Sequence, residues 1–176
     1  AGWVNSKALQ LAKITAETKA EGGLVVLKNG QPTGVLIDRA QQLVRALNPT
    51  PTKEDITSKL LKAQAMCFQY GLTNVGDAGL SPNIIDHIDS LQKAGTLKIR
   101  LYPMVSVSQE NIEKMLKKAI YVSDRLNVRS FKIYADGALG SRGACLLKPY
   151  SDAPETTGFL LFSAAELEKW ISQLAN

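Results

Sequence analysis

The residues with the clearest chemical potential lie in one stretch, 129–145, which reads RSFKIYADGALGSRGAC. Its first part is apolar and predicts a strand over 130–135, with Lys132 inside it. A polar, glycine-rich turn follows, in which Asp136 and Arg142 carry charge. Parallel α/β proteins commonly form ligand sites where a strand delivers such residues to its C-terminal edge. This stretch is therefore the candidate functional site.

Lys132 stands between Phe131 and Ile133, and an unpaired ammonium is costly to bury among apolar neighbours. One explanation is an ion pair with a carboxylate such as Asp77 or Asp136, or a path to solvent. The chemical alternatives are a Schiff-base lysine and a carbamylated lysine that bridges metal ions. The sequence pattern by itself leaves these alternatives open.

The turn from Gly137 to Gly143 has the composition of an anion cradle, since backbone amides in such loops point at oxyanions. Gly137, Gly140 and Ser141 are then the candidate binding residues, and Arg142 supplies a positive charge. The opposing interpretation is a turn whose glycines need positive φ. For Asp136, the alternatives are a catalytic carboxylate and one that tightens the turn.

Composition excludes several classes of protein. The chain has 176 residues, 45% of them hydrophobic, which is enough for a domain with a real core. The net charge of +5 comes from scattered basic residues rather than a clustered stripe, so we expect no nucleic-acid partner. Since apolar runs fall well short of a membrane span, we expect no membrane partner. The single histidine and two distant cysteines show no metal-binding spacing. The chain does not begin with Met, so the compartment, cytoplasm or periplasm, stays open.

The predicted elements divide the chain into two parts, 1–51 and 52–176. The first part predicts a helix from Asn5 and a hairpin of two strands, 24–27 and 34–37, with a connection longer than two residues. From Thr52 onward helices and short apolar strands alternate, which predicts a parallel sheet. The strands are expected at 72–75, 97–105 and 131–135, a turn at 76–79, a helix from Ser108 to about Arg125, a short strand at 159–162 and a last helix after Ser163. Three strands do not close an eight-stranded barrel, so this α/β sheet is either small and open or part of a larger barrel.

Five segments together resemble one family. They are GWVNSKALQLAKI, GQPTGVLID, GLTNVGDAGL, FKIYADGALGSRGACLLKPYSD and GFLLFSAAELEKWI, and they cover nearly the whole chain in order. These segments resemble the YtcJ-like branch of the amidohydrolase superfamily, amidohydrolase family 3. The resemblance implies a partial TIM-like barrel of about three βα units with parallel strands, preceded by a small N-terminal β-hairpin piece.

The same resemblance implies a chemistry. Members of this family are metal-dependent hydrolases of C–N bonds other than peptide bonds, typically in amides or formamides, and they use a metal-activated water. Lys132 matches the strand lysine that is carboxylated and bridges the metals. Asp136 and the turn to Gly143 match the motif at the barrel rim, which makes Asp136 and Arg142 the expected catalytic residues. The expected substrate is a small amide-type molecule.

The chain departs from the family pattern in its histidines. It has no His-x-His pair, and Gly76 stands where a histidine commonly precedes the aspartate. We therefore expect a middle fragment of a longer hydrolase, inactive in isolation. A divalent metal, with zinc the expected ion, belongs to the full-length parent and is not expected in this chain. The alternative is a stand-alone module that binds an anion or self-associates through exposed sheet edges.

Overall fold

A computed structural model describes residues 1–175 of the chain. Contacts between these residues form two units, one made of residues 1–49 with residues 134–175, the other of residues 50–133. The predicted parts, 1–51 and 52–176, differ from this grouping in the placement of the C-terminal segment. The C-terminal segment contacts the N-terminal residues because its glycine-rich turn, at Gly137 and Gly143, packs against Asp38.

The first unit is built on an antiparallel sheet. Its elements are β1 (Gly2–Trp3), α1 (Ser6–Leu11), β2 (Gly23–Lys28), β3 (Gln31–Asp38), a 3₁₀ turn (Arg39–Gln41), α2 (Gln42–Arg45) and, later in the chain, a second 3₁₀ turn (Leu139–Ser141). The strand order is β1-β3-β2. Its buried core consists of Ile14, Val25, Leu36 and Ala40.

The hairpin between β2 and β3 is tighter than the sequence predicts. Lys28 pairs with Gln31, which leaves a two-residue loop of Asn29 and Gly30. Both loop residues have positive φ, 52° and 73°, as a type I′ turn requires. The prediction of a longer connection is wrong because Asn-Gly adopts this mirror-image turn at little cost and lets the strands pair up to the loop.

The second unit is an α/β layer. Its elements are α3 (Lys53–Gln69), β4 (Asn74–Leu80), α4 (Pro82–Lys93), β5 (Arg100–Ser106), α5 (Gln109–Leu116), β6 (Tyr121–Val122), β7 (Asn127–Val128) and β8 (Ser130–Lys132). Strands β4 and β8 flank β5, and both pairings are parallel. The predicted α/β class with three parallel strands is confirmed.

One face of the parallel sheet packs against helices, and the other is more open. Val105 of β5 lies in a core with Ile85 and Ile88 of α4. Pro103 is also buried, whereas the alternating neighbour Met104 is only half-buried. Side chains alternate between faces along a strand, so this pattern separates a covered face from an open face. The candidate lysine belongs to the open face, as the site geometry shows.

Several predicted element ends are wrong. Strand β4 runs through the predicted turn at 76–79, because its pairing with β5 satisfies those backbone groups, and Gly79 at φ 135° marks a bulge. Helix α5 ends at Leu116 rather than near Arg125, since the chain beyond it turns to pair β6 with β7. The strand predicted over 130–135 ends at Lys132, where its partner β5 ends.

The C-terminal helix α6 (Ala164–Ala175) follows the predicted cap at Ser163. The Ser163 hydroxyl accepts from the backbone N–H of Glu166 at 3.3 Å, and the Glu166 carboxylate accepts from the Ser163 N–H at 2.9 Å. The strand expected at 159–162 is only a single bridge between Asp136 and Leu160. Within residues 1–175, the helices are all too short or too polar to cross a membrane.

Candidate functional site

Lys132 is the last residue of β8, at the C-terminal edge of the parallel sheet. It pairs with Ser106 of β5, and its carbonyl accepts from the N–H of Val107 at 3.1 Å. Its side chain is half-buried. The sequence predicts this lysine in the middle of a strand; because β8 ends at Lys132, it stands at the end of the strand instead.

The register separates Lys132 from Asp77. Asp77 of β4 pairs with Pro103, and Lys132 pairs with Ser106. Pro103 and Ser106 are three residues apart on one strand, so they face opposite sides of the sheet. Lys132 therefore lies on the open face and Asp77 on the helix-packed face, which argues against an ion pair between them, one of the alternatives for this lysine. Gly76 pairs with Tyr102 and shares the open face with Lys132.

Asp136 has a structural partner in its own loop. One carboxylate oxygen, Oδ2, accepts a hydrogen bond from the backbone N–H of Cys145 at 2.9 Å. The Asp136 backbone also bridges to Leu160. The bond to Cys145 joins the two ends of the glycine-rich turn, and the bridge to Leu160 joins its start to the segment that follows. The turn-tightening role weighed for Asp136 is present, and its predicted catalytic role stays a prediction.

The backbone amides of the turn are directed inward. Gly137 N–H donates to the Gly143 carbonyl at 3.1 Å, and the Gly143 and Ser141 N–H groups donate to the Ala138 carbonyl at 3.0 and 3.3 Å. An anion held by Gly137 and Ser141 would have to compete with these bonds. Gly140 faces open space, with no atom within 4 Å of a Cβ built on it. The positive φ in this turn belongs to Arg142, at 55°, and not to its glycines.

Arg142 pairs with a carboxylate of the same loop. Its guanidinium Nη2 lies 2.9 Å from Oδ2 of Asp152, and both side chains are about half exposed or more. The hydrogen bond from Arg142 lowers the pKa of Asp152, and the same bond raises the pKa of Arg142. The charge that the sequence offers to an anion is therefore already balanced by Asp152.

Asp38 is the site residue that the sequence patterns miss. Its Oδ2 is buried and has no hydrogen-bond partner. A Cβ built on either Gly137 or Gly143 would collide with that oxygen. Asp38 ends the motif GQPTGVLID, but nothing in the sequence signals contact with a turn so far along the chain.

The described residues do not form a metal centre by themselves. No group of three or more His, Cys, Asp and Glu side chains in residues 1–175 is arranged to hold an ion. Lys132 offers a metal ligand only in a carboxylated form, and Asp77 faces the other side of its sheet. The donors among residues 1–175 therefore do not fit a divalent metal on their own.

A sequence model of the amidohydrolase family matches residues 1–176. The chain belongs to the amidohydrolase family. Among curated relatives, it is 33% identical over 162 residues to the Bacillus subtilis protein YtcJ, which is named as an amidohydrolase. It is 26% identical to the Arabidopsis thaliana protein LONG AFTER FAR-RED 3, in an alignment 181 positions long with gaps counted. These matches cover 88% and 94% of this chain.

The amidohydrolase chain also resembles a solved structure. It superposes with a TM-score of 0.68 and 24% identity on a protein from Pyrococcus furiosus described as a metal-dependent hydrolase, over 98% of this chain. This likeness supports the fold. The chain spans about a third of the length of the relatives it matches: 30% of YtcJ, 31% of the Arabidopsis protein and 36% of the Pyrococcus protein.

Proposed function

We propose that this chain is the middle part of a metal-dependent amidohydrolase that cleaves amide- or formamide-type C–N bonds other than peptide bonds. In that reaction water adds across the C–N bond, so the carbonyl carbon gains a hydroxyl and the nitrogen leaves as an amine. The family assignment supports the reaction class. We propose that the chain without its flanking sequence is inactive.

The observation that carries the proposal is the position of Lys132. It stands at the C-terminal end of β8 on the face of the sheet that the helices leave open. In a closed barrel that face is the interior, and the C-terminal strand ends form the catalytic rim. We therefore propose that the three parallel strands are part of a TIM-like barrel, with Lys132 as a carboxylated metal ligand at its rim.

The remaining metal ligands would have to come from outside these residues. The chain contains one histidine, His87, and its Nε2 lies 2.8 Å from the Thr57 hydroxyl. This chain would contribute Lys132 and the rim turn that begins at Asp136. The ion, zinc or another divalent metal, then belongs to the complete protein.

The test of catalysis uses the complete coding sequence and a panel of N-substituted amides and formamides. Lys132→Ala should abolish hydrolysis, and acetate should partly restore it by standing in for the lost carboxylate. Lys62→Ala, which changes an exposed lysine of α3, should leave activity unchanged. Full activity of Lys132→Ala would refute the role of the lysine, and no hydrolysis of any amide by the unmodified protein would refute the reaction class.

Elemental analysis tests whether the isolated chain lacks a complete metal site. Zinc far below one equivalent is expected after dialysis, since the described donors do not converge. Stoichiometric, tightly held zinc in the 176-residue chain would contradict the proposal.

A second proposal concerns association. Strands β4 and β8 are the edges of the parallel sheet, and an unpaired edge is a template for another strand. We propose that the isolated chain self-associates through these edges. Light scattering should then show a mass that rises with concentration, and a monomer at every concentration would refute it.

A further inference from the structure

Asp38 ends β3 in a backbone conformation that residues with side chains rarely adopt, φ 47° and ψ −120°. The neighbouring chain holds it there. The N–H of Arg39 donates to the Gly22 carbonyl at 3.1 Å, and Gly23 packs so closely that a Cβ on it would collide with the Ala40 nitrogen. Such strain persists where the surroundings over-determine it, and it is commonly associated with a functional position.

The constrained backbone directs the Asp38 carboxylate at the rim turn. Its Oδ2 is buried, without a hydrogen-bond partner. The same atom occupies the place towards which a Cβ on Gly137 and a Cβ on Gly143 would point. A Cα hydrogen of each glycine therefore faces this oxygen, in the arrangement of two weak C–H···O contacts.

This contact explains two glycines that backbone geometry does not. Gly137 and Gly143 lie outside the positive-φ region, so conformational freedom is not the reason for them. Both allow close approach of the Asp38 oxygen, and Gly137 also makes room for the Gly143 backbone, whose Cα would lie 2.9 Å from a Cβ on Gly137. Gly140 of the same turn meets no atom within 4 Å, which makes it an internal control.

We propose that Asp38 is a positioning residue for the rim turn. Its carboxylate oxygen sets the spacing of Gly137 and Gly143, and through Gly137 it fixes the adjoining Asp136. The role concerns the geometry of the turn and stands independently of hydrolysis, so the failure of either proposal leaves the other testable.

A double-mutant cycle between Asp38 and Gly143 tests the contact. Gly143→Ala should destabilise the turn, because the new Cβ collides with Oδ2 and forces the Asp38 carboxylate to move, while its other neighbours lie at 3.3 Å or more. Asp38→Ala removes the obstacle. The double variant should then be no less stable than Asp38→Ala alone, a clear departure from additivity. Gly140→Ala should change stability little.

Hydrogen exchange and NMR give readouts specific to the turn. The Gly137 amide, which donates to Gly143, should exchange about tenfold faster in Asp38→Ala, the size expected for two lost C–H···O contacts. The Hα shifts of Gly137 and Gly143 should move while those of Gly140 stay. Asp38→Asn, which keeps an acceptor oxygen, should restore most of the protection.

Additive effects of the two substitutions would overturn the proposal, as would unchanged glycine Hα shifts in Asp38→Ala. If Gly143→Ala fails to fold, recovery of folding in the double variant supports the contact. Failure of the double variant, when Asp38→Ala alone folds, overturns it.

Discussion

The carboxylate of Asp136 and the backbone N–H of Cys145 are joined by a 2.9 Å hydrogen bond. This bond closes the glycine-rich turn at the position where the sequence predicts a catalytic carboxylate. The backbone donor holds this carboxylate oxygen in place between the two ends of the turn. In this chain, Asp136 therefore shapes the glycine-rich turn.

Removal of this carboxylate should loosen the loop selectively. We expect Asp136→Ala to lower the free energy of unfolding by about 1 kcal/mol and to accelerate exchange of the Cys145 amide. Asp136→Asn retains an acceptor oxygen, so it should lose much less stability and leave the Cys145 amide better protected. Amide exchange followed by NMR, with urea denaturation for stability, measures both. Equal Cys145 exchange in the unmodified chain and in Asp136→Ala would contradict the role of the bond.

The ion pair between Arg142 and Asp152 should produce a pH-dependent and salt-dependent effect. The hydrogen bond from Arg142 holds the pKa of Asp152 below its usual value. A depressed pKa means that the stabilisation is complete above the unfolded-state pKa and is lost as the pH falls through the lower folded value. Arg142→Gln should therefore raise the pKa of Asp152 towards its ordinary value.

Carboxyl ¹³C titration measures this shift directly. Both side chains are substantially exposed, so the difference between Arg142→Gln and the unmodified chain should shrink in high salt. Arg129→Gln is the matched control, because Arg129 bonds to Asn127 and not to Asp152. An Asp152 pKa that does not respond to Arg142→Gln would show that the pair does not form in solution.

Buried Gln92 should stabilise the unit that contains the parallel sheet. Its Nε2 donates to the Ile99 carbonyl at 2.9 Å and to the Arg125 carbonyl at 3.2 Å. Gln92→Met keeps the volume but removes both bonds. The Arg125 carbonyl keeps the Leu101 N–H at 2.8 Å. The Ile99 carbonyl, in contrast, loses the Gln92 donor, so we expect a loss of about 1–3 kcal/mol in the free energy of unfolding. Gln69→Met, at an exposed position of α3, should be nearly neutral. Thermal or urea unfolding compares the two, and equal effects would contradict the assigned bonds.

Replacing Gly30 or Gly76 by alanine should change the free energy of unfolding in opposite directions. Gly30 has φ 73° in the type I′ turn, so Gly30→Ala should cost about 1 kcal/mol. Gly76 lies in β4, and the nearest atom to a Cβ on it is the Tyr102 carbonyl oxygen at 4.0 Å. Gly76→Ala should stabilise the chain by up to about 1 kcal/mol, because alanine has less backbone entropy to lose. Urea denaturation midpoints of the two variants measure both changes. Destabilisation by Gly76→Ala would show that the open face has no room for a methyl group at this position.

The helix starts were predictable from sequence because capping is a local interaction. Thr52 accepts from the Asp55 N–H at 3.1 Å and Ser108 from the Asn111 N–H at 3.1 Å, each within one turn of chain. Strand limits were less predictable. The length of β4 and the early end of β8 depend on where β5 offers backbone partners, and these lie far away in sequence.

The sequence by itself determined the family, the order of the main helices and the three parallel strands, and the placement of Lys132 in the third of these strands. Those features depend on residue type, local spacing and motif order. The tertiary structure alone decided which face of the sheet carries Lys132, that Asp77 lies on the other face, and that Asp152 balances Arg142. It also brought Asp38 against Gly137 and Gly143. The physical reason is that register and close packing arise between segments distant in the chain, where no local pattern specifies the partner.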